Sequence, residues 1–355
     1  MKFIGTGDFH TNIWDKLNEN FKHINDTFGH LEKYIIKKRP DYLIILGDLF
    51  DTKVMTSTEG LITLVQAIDH LSTLTKIIIL VGNHDIAKMD DTEINLPNVF
   101  ANKKNITVVD KYMSLADEEC VYHFLPYYKD KKLVEEIQSI MLDDNYKHYL
   151  FGHFGVNGYI MNNYSREDQT KHVVDKVSAV TPKILNKFNH TFLGHYHGYQ
   201  HDELITYAGS PIQLRHGDNL AEHGFIFYDT DMDKIEFKNN AEFSPKYVNL
   251  ELNKENAEFL KKIIKDGGYY INLIVSNKIS TEKILKVKYS LIKRNYGVKI
   301  IYKDEGSTEF SVINGWDSFV KQDTEQIIRD FVWMNETELK TLKIDSNELI
   351  NTILK

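Results

Sequence analysis

Tyr42-Leu43-Ile44-Ile45-Leu46-Gly47-Asp48-Leu49-Phe50-Asp51 is the stretch that decides the fold. Its first five residues are apolar or aromatic without alternation, the pattern of a strand buried on both faces. A glycine and then two carboxylates follow at once. The same order returns four times. Lys2–Thr6 leads into Gly7-Asp8-Phe9-His10, Lys76–Val81 into Gly82-Asn83-His84-Asp85, Tyr149–Phe151 into Gly152-His153, and Thr191–Leu193 into Gly194-His195-Tyr196-His197.

Ligands placed at the carboxyl ends of strands converge on the crevice where α/β sheets build their sites. Carboxylate, imidazole and amide oxygen together suit Mn²⁺, Fe²⁺ or Zn²⁺ better than Ca²⁺. A glycine ahead of each ligand is expected to let the backbone turn tightly as the strand ends. Any one of these pieces is a common surface accident. Five in order, each behind an apolar strand, argue for a metal centre.

Outward from these strands, residues 1–246 alternate strands with helices, about 15–38 and 57–73. Further strands are expected at Cys120–Leu125, Ile205–Ala208 and Gly224–Tyr228. The fold class is α/β, a two-sheet sandwich covered by helices. From Tyr247 the order becomes β-α-β-α-β, which suits a small α+β domain over 247–303. Residues 304–355 show no strong strand signal. Ile327, Ile328, Phe331 and Val332, then Leu349, Ile350, Ile353 and Leu354, repeat at helical spacing, and Asp345 with Glu348 resembles a capping box.

The chain has 355 residues, 42% hydrophobic and 26% charged, values of an ordinary globular protein of about two domains. Its single cysteine, Cys120, excludes an intramolecular disulfide. The longest apolar runs are strand-length, and the N-terminus turns polar too early for a signal peptide, so a cytoplasmic protein without a membrane span is expected. The net charge is −8, but residues 254–303 carry twelve Lys/Arg against four Asp/Glu. Residues 304–355 carry five against eleven, so the chain offers one basic region and an acidic tail.

The motif series resembles the signature of the calcineurin-like metallophosphoesterases, and within them the SbcD-type nuclease subunits that work with an SMC-like ATPase in DNA break repair. Gly152-His153-Phe154-Gly155-Val156-Asn157-Gly158-Tyr159 most resembles the T-even bacteriophage form, a recombination endonuclease subunit. Gly209-Ser210-Pro211 and Gly224–Asp229 resemble the same group. The resemblance implies two divalent metals, Mn²⁺ above Mg²⁺ or Fe²⁺, sharing Asp48. One would be held by Asp8, His10 and His197, the other by Asn83, His153 and His195. It implies that His84 protonates the leaving oxygen and that Asp85 orients His84. Archaeal and eukaryotic relatives carry a second histidine where this chain has Asp51, which makes Asp51 a structural or supporting group.

The resemblance further implies exonuclease action on double strands and endonuclease action on single strands. It implies roles in DNA recombination, repair and replication, in the host cytoplasm if phage-encoded. The expected domains are a nuclease domain at 1–246, a basic DNA-binding capping domain at 247–303, and a linker with helices at 304–355 that dock on the ATPase. Helices of the first domain would form a homodimer. Arg215 and His216 are candidates to touch phosphate. The rival reading is a phosphomonoesterase or cyclic-nucleotide phosphodiesterase. Protein phosphatases of this type show Asp-Arg-Gly after the second motif and Gly-Asn-His-Glu at the third, where this chain has Asp51-Thr52-Lys53 and Gly82-Asn83-His84-Asp85. A non-catalytic scaffold is disfavoured because every expected ligand is intact.

Overall fold

A computed structural model describes residues 1–11, 20–51, 58–88, 91–162, 173–218, 221–276, 278–295, 297–303 and 310–311. The helical stripes expected after 312 lie outside the described residues, as does the start of the helix expected from 15. The fold is mixed α/β. One six-stranded sheet runs Lys234–Asn239, Gly224–Asp229, Lys2–Thr6, Tyr42–Ile45, Lys76–Leu80, Ile106–Val109. The four strands from Lys2–Thr6 onward are mutually parallel, so their carboxyl ends share one edge. A second six-stranded sheet runs Gln200–His201, Ile205–Tyr207, His190–Gly194, Lys147–His153, Cys120–Leu125, Met113–Ala116. Its four inner strands are again parallel.

The buried strands read from sequence are all present. The edges are not legible there: Met113–Ala116 and Lys234–Asn239 alternate exposed with half-buried residues for most of their length, so they lack an apolar run.

Side chains on a strand alternate between faces, and here both faces are apolar. Ile44 faces the space between the sheets with Phe3, Ile78 and Ile226, against Tyr122, Phe124, Phe151 and Phe192 of the second sheet. Ile45, one residue on, faces outward with Ile4, Leu43 and Ile77. There it meets Phe28, Leu31 and Ile35 of helix Asn20–Lys38 and Leu64 and Ile68 of helix Thr58–Leu71. Leu150, Leu193 and Ile205 on the far face of the second sheet pack with Leu133 and Ile137 of helix Asp130–Ser139. The first two helices therefore spend most of their apolar face on their own sheet. Ile36 and Ile62 stay about half exposed.

The described chain falls into two compact units, residues 1–248 with 268–270, and residues 249–267 with the described residues from Ile271 on. A four-stranded sheet, Lys246–Glu251, Tyr269–Ser276, Gly297–Lys303 and Phe310–Ser311, accompanies helices Ala257–Asp266 and Thr281–Ile292. The second of these helices opens on Ser280, whose side chain accepts from the Lys283 amide. The first ends at Gly267 (φ +70°), where a Cβ would lie 2.4 Å from the Arg294 carbonyl, so only glycine fits. Among the described residues no helix is long and apolar enough to cross a membrane.

Phe3 is wholly buried, edge-on to Phe151 at 5.0 Å and to Phe192 at 4.9 Å. Phe3→Ala should cost about 3–5 kcal/mol in urea unfolding. Met141→Ala, at a site 88% exposed, should stay within about 0.5 kcal/mol.

Candidate active site

The loop after Lys2–Thr6 and the loop after Tyr42–Ile45 run side by side. The amides of Asp8, His10 and Thr11 donate to the carbonyls of Gly47, Asp48 and Leu49 at 3.0, 3.1 and 3.3 Å. This pairing brings Asp8 and His10 beside Asp48. From the second sheet, His153 Nδ1 donates to the Leu46 carbonyl at 2.6 Å, and the His195 amide donates to both oxygens of Asp8 at 3.1 and 3.0 Å. Two sheet edges are thereby joined through their ligands.

The glycines work differently from the sequence expectation. Among the five that precede ligands, only Gly47 has a left-handed φ, +92°. The turn is carried instead by the ligands: Asp8 (φ 50°), His10 (45°), Asp48 (50°) and His195 (97°). Such conformations cost roughly 1–3 kcal/mol each and persist where the surroundings over-determine them. Close approach is the glycines' main role. A Cβ on Gly82 would lie 2.2 Å from Asp48 Oδ1, and one on Gly194 would lie 2.3 Å from the Leu46 carbonyl.

Among the described residues, three groups have their ligand atoms within 4.8 Å of one another inside each group: Asp8, His10, His197; Asp48, His153, His195; and His10, Asp48, His84. Asn83 Oδ1 joins the second group, 3.1 Å from His153 Nε2 and 3.0 Å from His195 Nδ1. Asp48 Oδ2 lies 3.2 Å from His153 Nε2 and 3.6 Å from His10 Nε2.

The charges are unbalanced. Burial raises the Asp8 carboxyl above its usual range. Burial works to raise Asp48 too, but His153 and His10 overcome it and hold Asp48 well below the carboxylate range. Burial works to lower His153, while Asp48 and Asp8 raise it to about 9. Burial and then the charge of His153 lower His195 to about 3. Two deeply buried carboxylates are thus drawing positive charge onto an imidazole.

Divalent cations fit this cluster. His10 Nε2 is buried with no hydrogen-bond partner, 3.6 Å from Asp48 Oδ2 and 4.0 Å from Asp8 Oδ1, as an atom meant for an ion would be. Three imidazoles present Nε2 inward because Nδ1 is tied outside: His10 to Asp51 Oδ1 at 3.2 Å, His153 to the Leu46 carbonyl, His197 to Asp218 Oδ2 at 3.3 Å. Metal-binding histidines are fixed in this way by a carboxylate or carbonyl on the second nitrogen.

A family model for calcineurin-like phosphoesterases matches residues 1–199. The chain belongs to that family. Its chemistry is phosphodiester hydrolysis with divalent metal ions. Within the family it is 22% identical over 384 aligned residues to an SbcCD nuclease component of Staphylococcus epidermidis, covering 98% of this chain and 97% of that protein. It is 25% identical over 309 residues to the DNA double-strand break repair protein Mre11 of Methanocaldococcus jannaschii, covering 83% and 78%.

One expected pairing is corrected. Asp85 does not orient His84: its carboxylate accepts from the amides of Phe50 at 3.0 Å and Gly82 at 2.9 Å. Burial, then repulsion from Asp48, pushes it up to about 7. His84 Nδ1 lies instead 3.1 Å from the Asp51 carbonyl and 3.6 Å from its carboxylate. The reason is geometric. The turn at 82–85 folds Asp85 back onto its own first amide and leaves His84 facing the neighbouring loop.

Asp218 was not legible in sequence: Gly217 precedes it as a glycine precedes the other ligands, but no apolar strand leads into the pair. It is buried, and its carboxylate takes the Leu214 amide at 3.1 Å and His197. Asp218→Asn should weaken Mn²⁺ binding about 10–100-fold at the position served by His197 and leave the Asn83 position unchanged. A two-site Mn²⁺ titration followed by electron paramagnetic resonance measures both.

Proposed function

We propose that this chain is the metal-dependent nuclease subunit of a DNA recombination and repair complex. The reading rests on one observation above the rest. Asp48 stands between two groups of imidazoles, with Nε2 of both His10 and His153 turned toward its Oδ2. A carboxylate so placed is suited to bridge a metal pair, with Asp8, His10 and His197 on one side and Asn83, His153 and His195 on the other. When bound, the cations supply Lewis-acid charge against the phosphoryl oxygens and lower the pKa of the attacking water. The mixed nitrogen and oxygen donor set suits Mn²⁺, Fe²⁺ or Zn²⁺, and the resemblance to the SbcD-type nucleases supports Mn²⁺ among them.

His84 lines the mouth of the cleft with its ring partly exposed, and it is the proton donor to the leaving oxygen. Donation requires both ring nitrogens protonated. Asp51 supplies a carbonyl for Nδ1–H and a carboxylate to balance the charge, which leaves Nε2–H for the substrate. Asp85 acts indirectly, by clamping the Gly82 and Phe50 amides so that Asn83 and His84 keep their place.

The relatives' names, which join nuclease action to DNA break repair, support DNA as the substrate, and the resemblance to SbcD-type subunits supports an ATPase partner. Residues 1–246 are the nuclease domain, 247–303 a capping domain whose lysines neutralise DNA phosphates, and 304–355 a linker and helices for an SMC-like ABC ATPase. A homodimer would use the helix pair that carries the exposed Ile36 and Ile62. The cellular setting is cytoplasmic, and that of the infected host if the chain is phage-encoded, a reading the T-even likeness at 152–159 supports.

With Mn²⁺, the purified chain should release nucleotides from linear duplex DNA and cut single strands. His84→Ser should bind two Mn²⁺ by elemental analysis while losing about 10²–10⁴-fold in turnover. Cleavage of phosphomonoesters alone, with DNA untouched, would favour the phosphatase alternative. Deleting 304–355 should preserve single-strand cleavage and abolish co-purification with the ATPase. Undiminished co-purification would remove the partner assignment.

A further inference from the structure

The cleft of about 230 Å³ at the ligand cluster is lined by His10, His84, Met161, Tyr196 and Arg215 among others. Among the described residues, every other charged side chain in that lining is a carboxylate or an imidazole. Arg215 brings the one guanidinium among them. We propose that Arg215 is a substrate-binding residue whose guanidinium takes a non-bridging oxygen of the phosphodiester, with Asp218 as the residue that positions it; this rests on the phosphodiester reading above.

The placement of Arg215 is built rather than incidental. Its loop is anchored by the Ser210 amide to the His197 carbonyl at 2.9 Å, so it is fixed to the strand end that carries the ligands. The Asp218 amide closes the turn on the Arg215 carbonyl at 3.0 Å. The Asp218 carboxylate then takes Arg215 Nε at 3.4 Å and His197 Nδ1 at 3.3 Å. One buried carboxylate therefore sets both an expected metal ligand and the arginine. Stability does not account for this arrangement. The arginine side chain is 55% exposed, and ion pairs of that kind add little to folding.

Recognition does account for it. A guanidinium presents its N–H donors in a planar fork that matches phosphate oxygens. Displacement at a phosphodiester builds negative charge on the non-bridging oxygens, and fixed positive groups aimed there stabilise it without reorganisation. His216, the neighbouring residue, does not share the role. It packs edge-on to Tyr247 with ring centroids 5.1 Å apart and is absent from the cleft lining.

The test uses the full chain loaded with Mn²⁺, unmodified and as Arg215→Gln and Arg215→Lys. Inorganic phosphate binding is measured by calorimetry, and bis(4-nitrophenyl) phosphate turnover by absorbance. Arg215→Gln should bind phosphate at least about tenfold more weakly and raise KM for the diester by a similar factor. Mn²⁺ stoichiometry and Tm should be unchanged. Arg215→Lys, which keeps the charge but not the fork, should fall between the two. Phosphate bound by Arg215→Gln as tightly as by the unmodified chain would overturn the assignment. A loss that tracks lowered Tm or missing Mn²⁺ in both variants would also overturn it, making Arg215 a support of the loop. If phosphate binding falls as expected but the unmodified chain cleaves no diester, the nuclease reading fails and the anion site at Arg215 stands.

Discussion

A carboxylate held out of water at the junction of two sheets is the constraint on which this structure turns. Asp48 is nearly fully buried in a left-handed conformation, and such a group is costly unless its charge is met. The chain meets it partly with the His84 amide at 2.8 Å and with His153. The remaining demand falls on imidazoles whose Nε2 atoms face it. Much of the surrounding geometry serves this point: the paired loops, the close-approach glycines, the strained backbone at four ligands.

The sandwich explains why such strain is tolerated. The strands that feed the site are buried on both faces, inward by Phe3, Ile44 and Phe151 and outward by Ile4, Ile45 and Leu150. A strand so clamped cannot relax a residue at its end by sliding, because a one-residue slip would exchange its two packed faces. The cost of left-handed Asp8 and Asp48 is therefore borne by a core that has no cheaper arrangement.

Supporting contacts divide the labour among acids that look alike in sequence. Asp51 serves His10 and His84, Asp218 serves His197 and Arg215, and Asp85 serves backbone amides. Each raises or lowers nothing by its identity alone. What separates them is which donors the fold sets within hydrogen-bond reach.

The sequence by itself determined the two-layer α/β class, the order of the buried strands and the set Asp8, His10, Asp48, Asn83, His84, His153, His195 and His197 as one constellation. These are local patterns: an apolar run specifies a doubly buried strand, and a ligand just beyond it must sit at the strand's carboxyl end. Tertiary structure alone decided the supporting partners. Asp218 meets His197 across 21 residues, and His10 meets Asp51 across 41, through contacts that no spacing rule encodes. The edge strands were also hidden, since a strand wetted on its faces carries no apolar run. The assignment of Asp85 to His84 failed for the same reason. Adjacency in the chain suggested a pair, while the turn's own amides, closer in space, had already taken the carboxylate.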